Sequence, residues 1–116
     1  MAVELFAGVP VADYPGALTW YETLFGGPPT YVVSDSEALW ELTPHGSVVV
    51  EHRPERPGHA FHVIFVDDFD DRLAAIAARG LEPVERETYG NGVRKAVFRD
   101  PEGNEIGIGG APAGTT

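Results

Sequence analysis

The feature that most constrains this chain is that its order of elements occurs twice. An extended apolar run from Val3 to Val11 is followed by Asp13-Tyr14-Pro15, a helix start with proline in the first turn. In the segment from Ala17 to Phe25, residues 17, 21, 24 and 25 share one helical face, and Gly26-Gly27-Pro28-Pro29 stops the helix. Three short strands are predicted next, at 30–34, 38–43 and 47–51, the last two joined by the turn Thr43-Pro44-His45-Gly46. After a loop at 52–58 the order restarts with an extended run at 60–66. A second helix follows, with Asp67 or Asp68 as its cap, Phe69, Leu73, Ile76 and Ala77 as its apolar stripe, and Gly80 at its end. Three more strands are predicted near 83–88, 93–99 and 105–108, the last two joined by Asp100-Pro101-Glu102-Gly103. The strand ends Val11-Ala12-Asp13 and Val66-Asp67-Asp68 align at 68 − 13 = 55, and the turns Pro44-x-Gly46 and Pro101-x-Gly103 align at 101 − 44 = 57. The reading is therefore one domain over 1–116, with module one at 3–51, module two at 58–108 and a frayed tail at 109–116.

Composition excludes several chemistries. Without cysteine there is no disulfide scaffold, thiol nucleophile, zinc knuckle or iron–sulfur cluster. Eight basic residues against eighteen acidic ones give a net charge of −10, a field that repels phosphate backbones and anionic lipid surfaces. The start MAVELFAGVPVADYP lacks the basic, apolar and small-residue order of a secretory signal, and no apolar run reaches the length of a membrane span. The expectation is a soluble, cytoplasmic protein that binds neither nucleic acid nor membrane. Its acidic surface serves solubility and can also attract a cationic small molecule.

Three segments carry a resemblance to a known family: the helix from Ala17 to Gly26, with its Trp-Tyr and Leu-Phe-Gly; the strand from Phe61 to Asp68; and Arg99-Asp100-Pro101-Glu102-Gly103-Asn104-Glu105-Ile106. With the duplication, they make the chain resemble the vicinal oxygen chelate superfamily, which includes glyoxalase I, bleomycin resistance proteins, fosfomycin resistance enzymes and extradiol dioxygenases. The resemblance implies an α+β fold of two tandem βαβββ modules that form an open curled sheet around a ligand cavity, with the helices outside. In the family's enzymes it also implies one divalent metal, held by His and Glu from the first and fourth strands of each module, with open positions for a substrate's paired oxygens. Carried onto this chain, those positions are Phe6, Val50, Phe61 and Gly107, all of them apolar.

The neighbouring residues keep a second reading open. His62 and Glu51 lie one residue away from Phe61 and Val50, and strand alternation is expected to turn them from the cavity. Steps of two keep the face, so Glu4, His52, His59 and Glu105 form a candidate displaced site for one divalent metal. The run Asp67-Asp68-Asp70-Asp71 lacks the glycine and spacing of a calcium loop and reads as a helix start. Gly90-Asn91-Gly92 reads as a hairpin, and Ser34, Ser36 and Ser47 stand in no hydrolase motif. Phe6, Phe61, Trp40 and Tyr89, in or beside cavity-forming strands, are candidate ligand walls together with Val50 and Gly107, and Tyr31 is a further aromatic there. Arg94 either orients a ligand carboxylate or pairs with one of the acids. The expected function is metal-independent sequestration of a small organic ligand, aromatic or cationic, by a cofactor-free homodimer. The alternatives are a metal-dependent lyase, isomerase or dioxygenase using the displaced site, and a degenerate module acting in protein association.

Overall fold

The computed structural model describes residues 3–114, so Thr115 and Thr116 of the expected tail lie outside the described residues. Module one runs β1 (Leu5–Val11), α1 (Tyr14–Phe25), β2 (Tyr31–Ser34), β3 (Glu37–Thr43) and β4 (Gly46–His52). Module two repeats it as β5 (Phe61–Val66), α2 (Phe69–Ala78), β6 (Glu85–Thr88), β7 (Arg94–Arg99) and β8 (Glu105–Gly110). Each module is a four-stranded sheet, ordered β1-β4-β3-β2 and β5-β8-β7-β6, with the first strand parallel to the fourth and the rest antiparallel. The duplicated α+β fold with open sheets is thus present, with both helices on one side.

Local chemistry explains the elements. The Asp13 carboxylate accepts from the Gly16 N–H at 3.1 Å, Pro15 fills the first turn, and Gly26 ends α1 in a left-handed conformation at φ 85°. The face of α1 that carries Tyr14, Ala17, Tyr21 and Leu24 is buried. In α2 the buried stripe is Phe69, Leu73 and Ile76, whereas Ala77 is exposed. Asp68 sits at the N-cap, yet its carboxylate accepts from Arg72 Nε at 3.0 Å rather than from the helix amides. The strand expected from Val3 begins at Leu5. The last strand extends past Ile108, with Gly109 and Gly110 buried, so the first two residues of the expected tail belong to the sheet. Gly110 is required there, because a Cβ would lie 2.5 Å from that of Phe69.

Alternation divides each sheet. Val9, Val11, Ala38, Trp40, Val48 and Val50 from module one, and Val66, Ala96, Phe98, Ile106 and Ile108 from module two, join the helices in one core. No backbone ladder links β1 to β5, so side chains hold the seam between the modules. The turn Asp100–Asn104 does most of this. The Glu102 carboxylate accepts from the Ala12 and Asp13 N–H groups at 2.7 and 2.9 Å, at the positive end of α1. Asn104 Nδ2 donates to the Pro10 carbonyl and to Asp100 Oδ2, both at 2.9 Å, and Asn104 Oδ1 accepts from the Ala60 N–H. The buried Tyr21 hydroxyl donates to Asp100 Oδ2 at 3.0 Å. Burial first, and then the Asp100 carboxylate, push the Tyr21 phenol pKa upward, so it remains a donor.

Candidate functional site

The sheet faces away from the helices carry the candidate site. In module one, Phe6, Gly8, Val33, Glu37, Leu39, Val49 and Glu51 surround an open cavity of about 500 Å³. In module two, Gly107 and Gly109 lie under Val63 and Phe65, and the stem of Lys95 crosses Gly107. Phe6, Phe61 and Phe65 are 58%, 53% and 64% exposed, so this face is apolar and uncovered in the chain.

Four of the expected wall residues lie on this side. Phe6 lines the module-one cavity, Gly107 lies beneath Lys95, and the Phe61 and Tyr89 rings each stand 5.5 Å from Lys95 Nζ. Three others are corrected. Trp40 is buried under α1, tilted against Tyr21 and Phe25, with its indole N–H donating to the Gly27 carbonyl at 3.0 Å. Val50 is fully buried in the helix-side core, and its place on the open face is taken by Val49. The cause is register: Gly8 pairs with Val49 as Val63 pairs with Gly107. The β3–β4 and β7–β8 pairs, Trp40 with Val48 and Phe98 with Ile106, correspond at 98 − 40 = 58 rather than at the 57 of the turns. The Pro-x-Gly of the first turn sits one residue later against the ladder. By the same step Glu51, expected to turn away, lines the open face, where it accepts from Arg53 Nε at 3.0 Å. Arg94 points to the helix side, over the Phe69 ring at 4.5 Å and paired with Asp70 at 2.8 Å, so it takes its ion-pair alternative.

The members of the displaced set have separate partners. Glu4 meets His45 Nδ1 at 3.0 Å, and Glu105 accepts from Arg99 at 2.7 Å. His52 ends β4, and His59 sits in the linker at φ 70°. His62 donates to the Gly8 carbonyl at 2.9 Å, bridging the seam. Among the described residues no three His, Asp or Glu side chains converge. A metal at the implied positions would need donors from Phe6, Phe61, Gly107 and Val49 or Val50, none of which offers one. The residues do not fit the group. Lys95, Glu37, Leu39 and Val33 belong to the face and were missed, although the two-residue step from Val97 to Lys95 would have found the lysine.

On the helix side, a second cavity of about 450 Å³ opens at the seam between Leu24, Leu42, Ile64 and Ile76, with Arg72 and Arg79 at its edge. Arg79 donates to the Thr23 and Leu24 carbonyls at 2.7 and 2.9 Å. No helix among the described residues is long and apolar enough to cross a membrane.

Comparison with known proteins follows this geometry. A glyoxalase/bleomycin resistance protein from Catenulispora acidiphila DSM 44928 is 42% identical, with a TM-score of 0.91 over 96% of this chain and 100% of that one. A lactoylglutathione lyase from Agrobacterium tumefaciens shares the fold at 15% identity and a TM-score of 0.77, over 95% of this chain and 94% of that one. A bleomycin-binding protein complexed with bleomycin shares it at 14% identity and a TM-score of 0.73, over 95% of this chain and 98% of that one. No curated protein matches the chain. The model of one family matches residues 5–108, and the chain belongs to that family, the Glyoxalase/Bleomycin resistance protein/Dioxygenase superfamily.

Proposed function

We propose that this protein binds a small organic ligand on its open face without a metal, and sequesters it rather than converting it. The observation that carries the reading is that the implied ligand positions hold no donor: rings of Phe6 and Phe61 stand half-exposed where the resemblance places metal ligands. A binding site of this kind needs apolar walls and a few polar groups to orient the guest. The structural relative that holds bleomycin supports small-molecule binding on this fold. A second copy of the chain is the proposed cover, because Phe6, Val33, Phe61, Val63 and Phe65 would otherwise leave a large apolar patch in water.

The test is a set of thermal melts with nickel, zinc, manganese and ferrous iron against chelator, together with light scattering and mass spectrometry of co-purified small molecules. Coincident melts, a dimer mass and a retained organic compound support the reading. A metal that raises the midpoint, at roughly 2.7 kcal/mol for a hundredfold excess over Kd, overturns it. If His52→Ala or His59→Ala abolished such a metal effect, the displaced-site enzyme would take its place.

A further inference from the structure

We propose that the Lys95 ammonium supplies, on module two's half of the open face, the positive charge that a metal would have supplied, and that it anchors the carboxylate of a small organic acid. This rests on the reading of that face as a metal-free ligand site.

The argument begins with the two implied ligand positions of module two. Phe61 holds one, and its ring centre is 5.5 Å from Lys95 Nζ. Gly107 holds the other, and the lysine stem packs over its backbone. A Cβ on Gly107 would stand 3.4 Å from Lys95 Cδ and 3.6 Å from Cγ. The lysine side chain is 18% exposed, and the ammonium also lies 5.5 Å from the Tyr89 ring. A cation beside two aromatic rings is attracted by their quadrupoles, and its ammonium carries three N–H donors. The lysine pKa lies above its ordinary value, raised first by the Tyr89 hydroxyl and then by the Glu87 and Glu85 carboxylates, so the ammonium is charged at neutral pH.

The duplication supplies a control within the chain. Glu37 pairs across the ladder with Glu51 in module one, and the corresponding pair in module two is Lys95 with Gly109. One half of the face therefore sets two acids opposite each other, and the other half sets a cation opposite a residue with no side chain. The nearest acid to Lys95 is Glu87 at 3.8 Å, itself 44% exposed, a long contact that a ligand carboxylate at hydrogen-bond distance displaces or shares. Lys95 is also the chain's single lysine, in a protein of net charge −10. The overall charge points to a cationic ligand, whereas the local site selects an anion, and at contact distance the local group dominates because salt screens the rest.

Three probes of similar size and different charge test the assignment: phenylacetate, 2-phenylethanol and 2-phenylethylamine, followed by calorimetry and by the carbon-13 signal of Lys95 after reductive methylation, which keeps its charge. Phenylacetate is expected to bind best and to shift the lysine methyl signal. K95M, which preserves the apolar stem, should weaken phenylacetate about tenfold or more, and K95R should recover part of the loss. The melts of the free variants show that each is folded. Preference for the amine, equal binding by K95M, or no binding by any probe overturns the lysine anchor. Phenylethanol or the amine binding without metal at least as tightly as phenylacetate would overturn the anchor and leave metal-free binding standing, whereas a stoichiometric metal would remove the reading beneath both.

Discussion

Replacing Asn104 by alanine isolates the seam between the modules. The residue is fully buried, and its amide makes three side-chain hydrogen bonds, to the Pro10 carbonyl, the Asp100 carboxylate and the Ala60 N–H. The bond to the carboxylate contributes about 1.5 kcal/mol and each neutral bond about 1 kcal/mol, so Asn104→Ala should cost about 3–4 kcal/mol. Compensation is limited. Pro10 keeps a second donor in the Gly58 N–H and Asp100 keeps the Tyr21 hydroxyl, but the Ala60 N–H loses its partner. For a chain of this size that is a fall in Tm on the order of 10 °C. Urea unfolding followed by fluorescence, with a constant slope and a lower midpoint, measures it. Asn91→Ala, which removes one exposed turn bond to the Val93 N–H, is the matched control and should cost less than about 1 kcal/mol. If Asn104→Ala cost no more than its control, the seam would be held by the apolar core alone and the role given to this turn would be refuted.

Other substitutions read other features. Tyr14→Phe should be neutral or stabilising by up to about 1 kcal/mol in the same urea assay, because the Tyr14 hydroxyl is buried with no partner among the described residues. Gly58→Ala should lower the urea midpoint by about 2 kcal/mol or more, since φ there is 83° and a Cβ would collide with the Glu102 carbonyl. Tyr21 has a raised native pKa, so its contribution is complete below the unfolded phenol value of about 10 and is lost as pH climbs through the native value. Unfolding free energy should therefore decline above about pH 10, and absorbance titration should show Tyr21 ionising only as the protein unfolds. A Tyr21 that titrated in the native state would contradict the hydrogen bond to Asp100.

The repeat was legible because helix and strand periods are written in residue types: the stripe Tyr21 and Leu24 on α1 and its counterpart Leu73 and Ile76 on α2 need no tertiary information. The offset of 55 between Phe6 and Phe61 also holds, since each pairs in the same way with its parallel neighbour. What failed depends on quantities a sequence does not write. Turn residues aligned Val50 with Gly107, but the ladder aligns Val49, and one residue of register exchanges the two faces of a strand. Trp40 has the composition of a cavity wall, and only the nearby Gly27 carbonyl explains why its N–H goes inward. Arg94 and Lys95 are consecutive cations on opposite faces. Choosing between them requires knowing which face the helices cover, and this is set by packing across the seam.

That seam has a mechanical consequence. At one end the linker and the Asp100–Asn104 turn fasten β1 to module two, and at the other the cavity beside Ile64 and Arg79 leaves a gap. No ladder bond crosses between the two sheets: the turn pins one end, and His62 on the Gly8 carbonyl and Arg79 on the Thr23 and Leu24 carbonyls tether the rest. A small rotation about the pin changes the curvature of the face that carries Phe6 and Lys95, without breaking a single strand pair. Such a rotation would be resisted by the side-chain contacts of the seam and by no strand pair, so the curvature of this face depends on the seam rather than on the sheets.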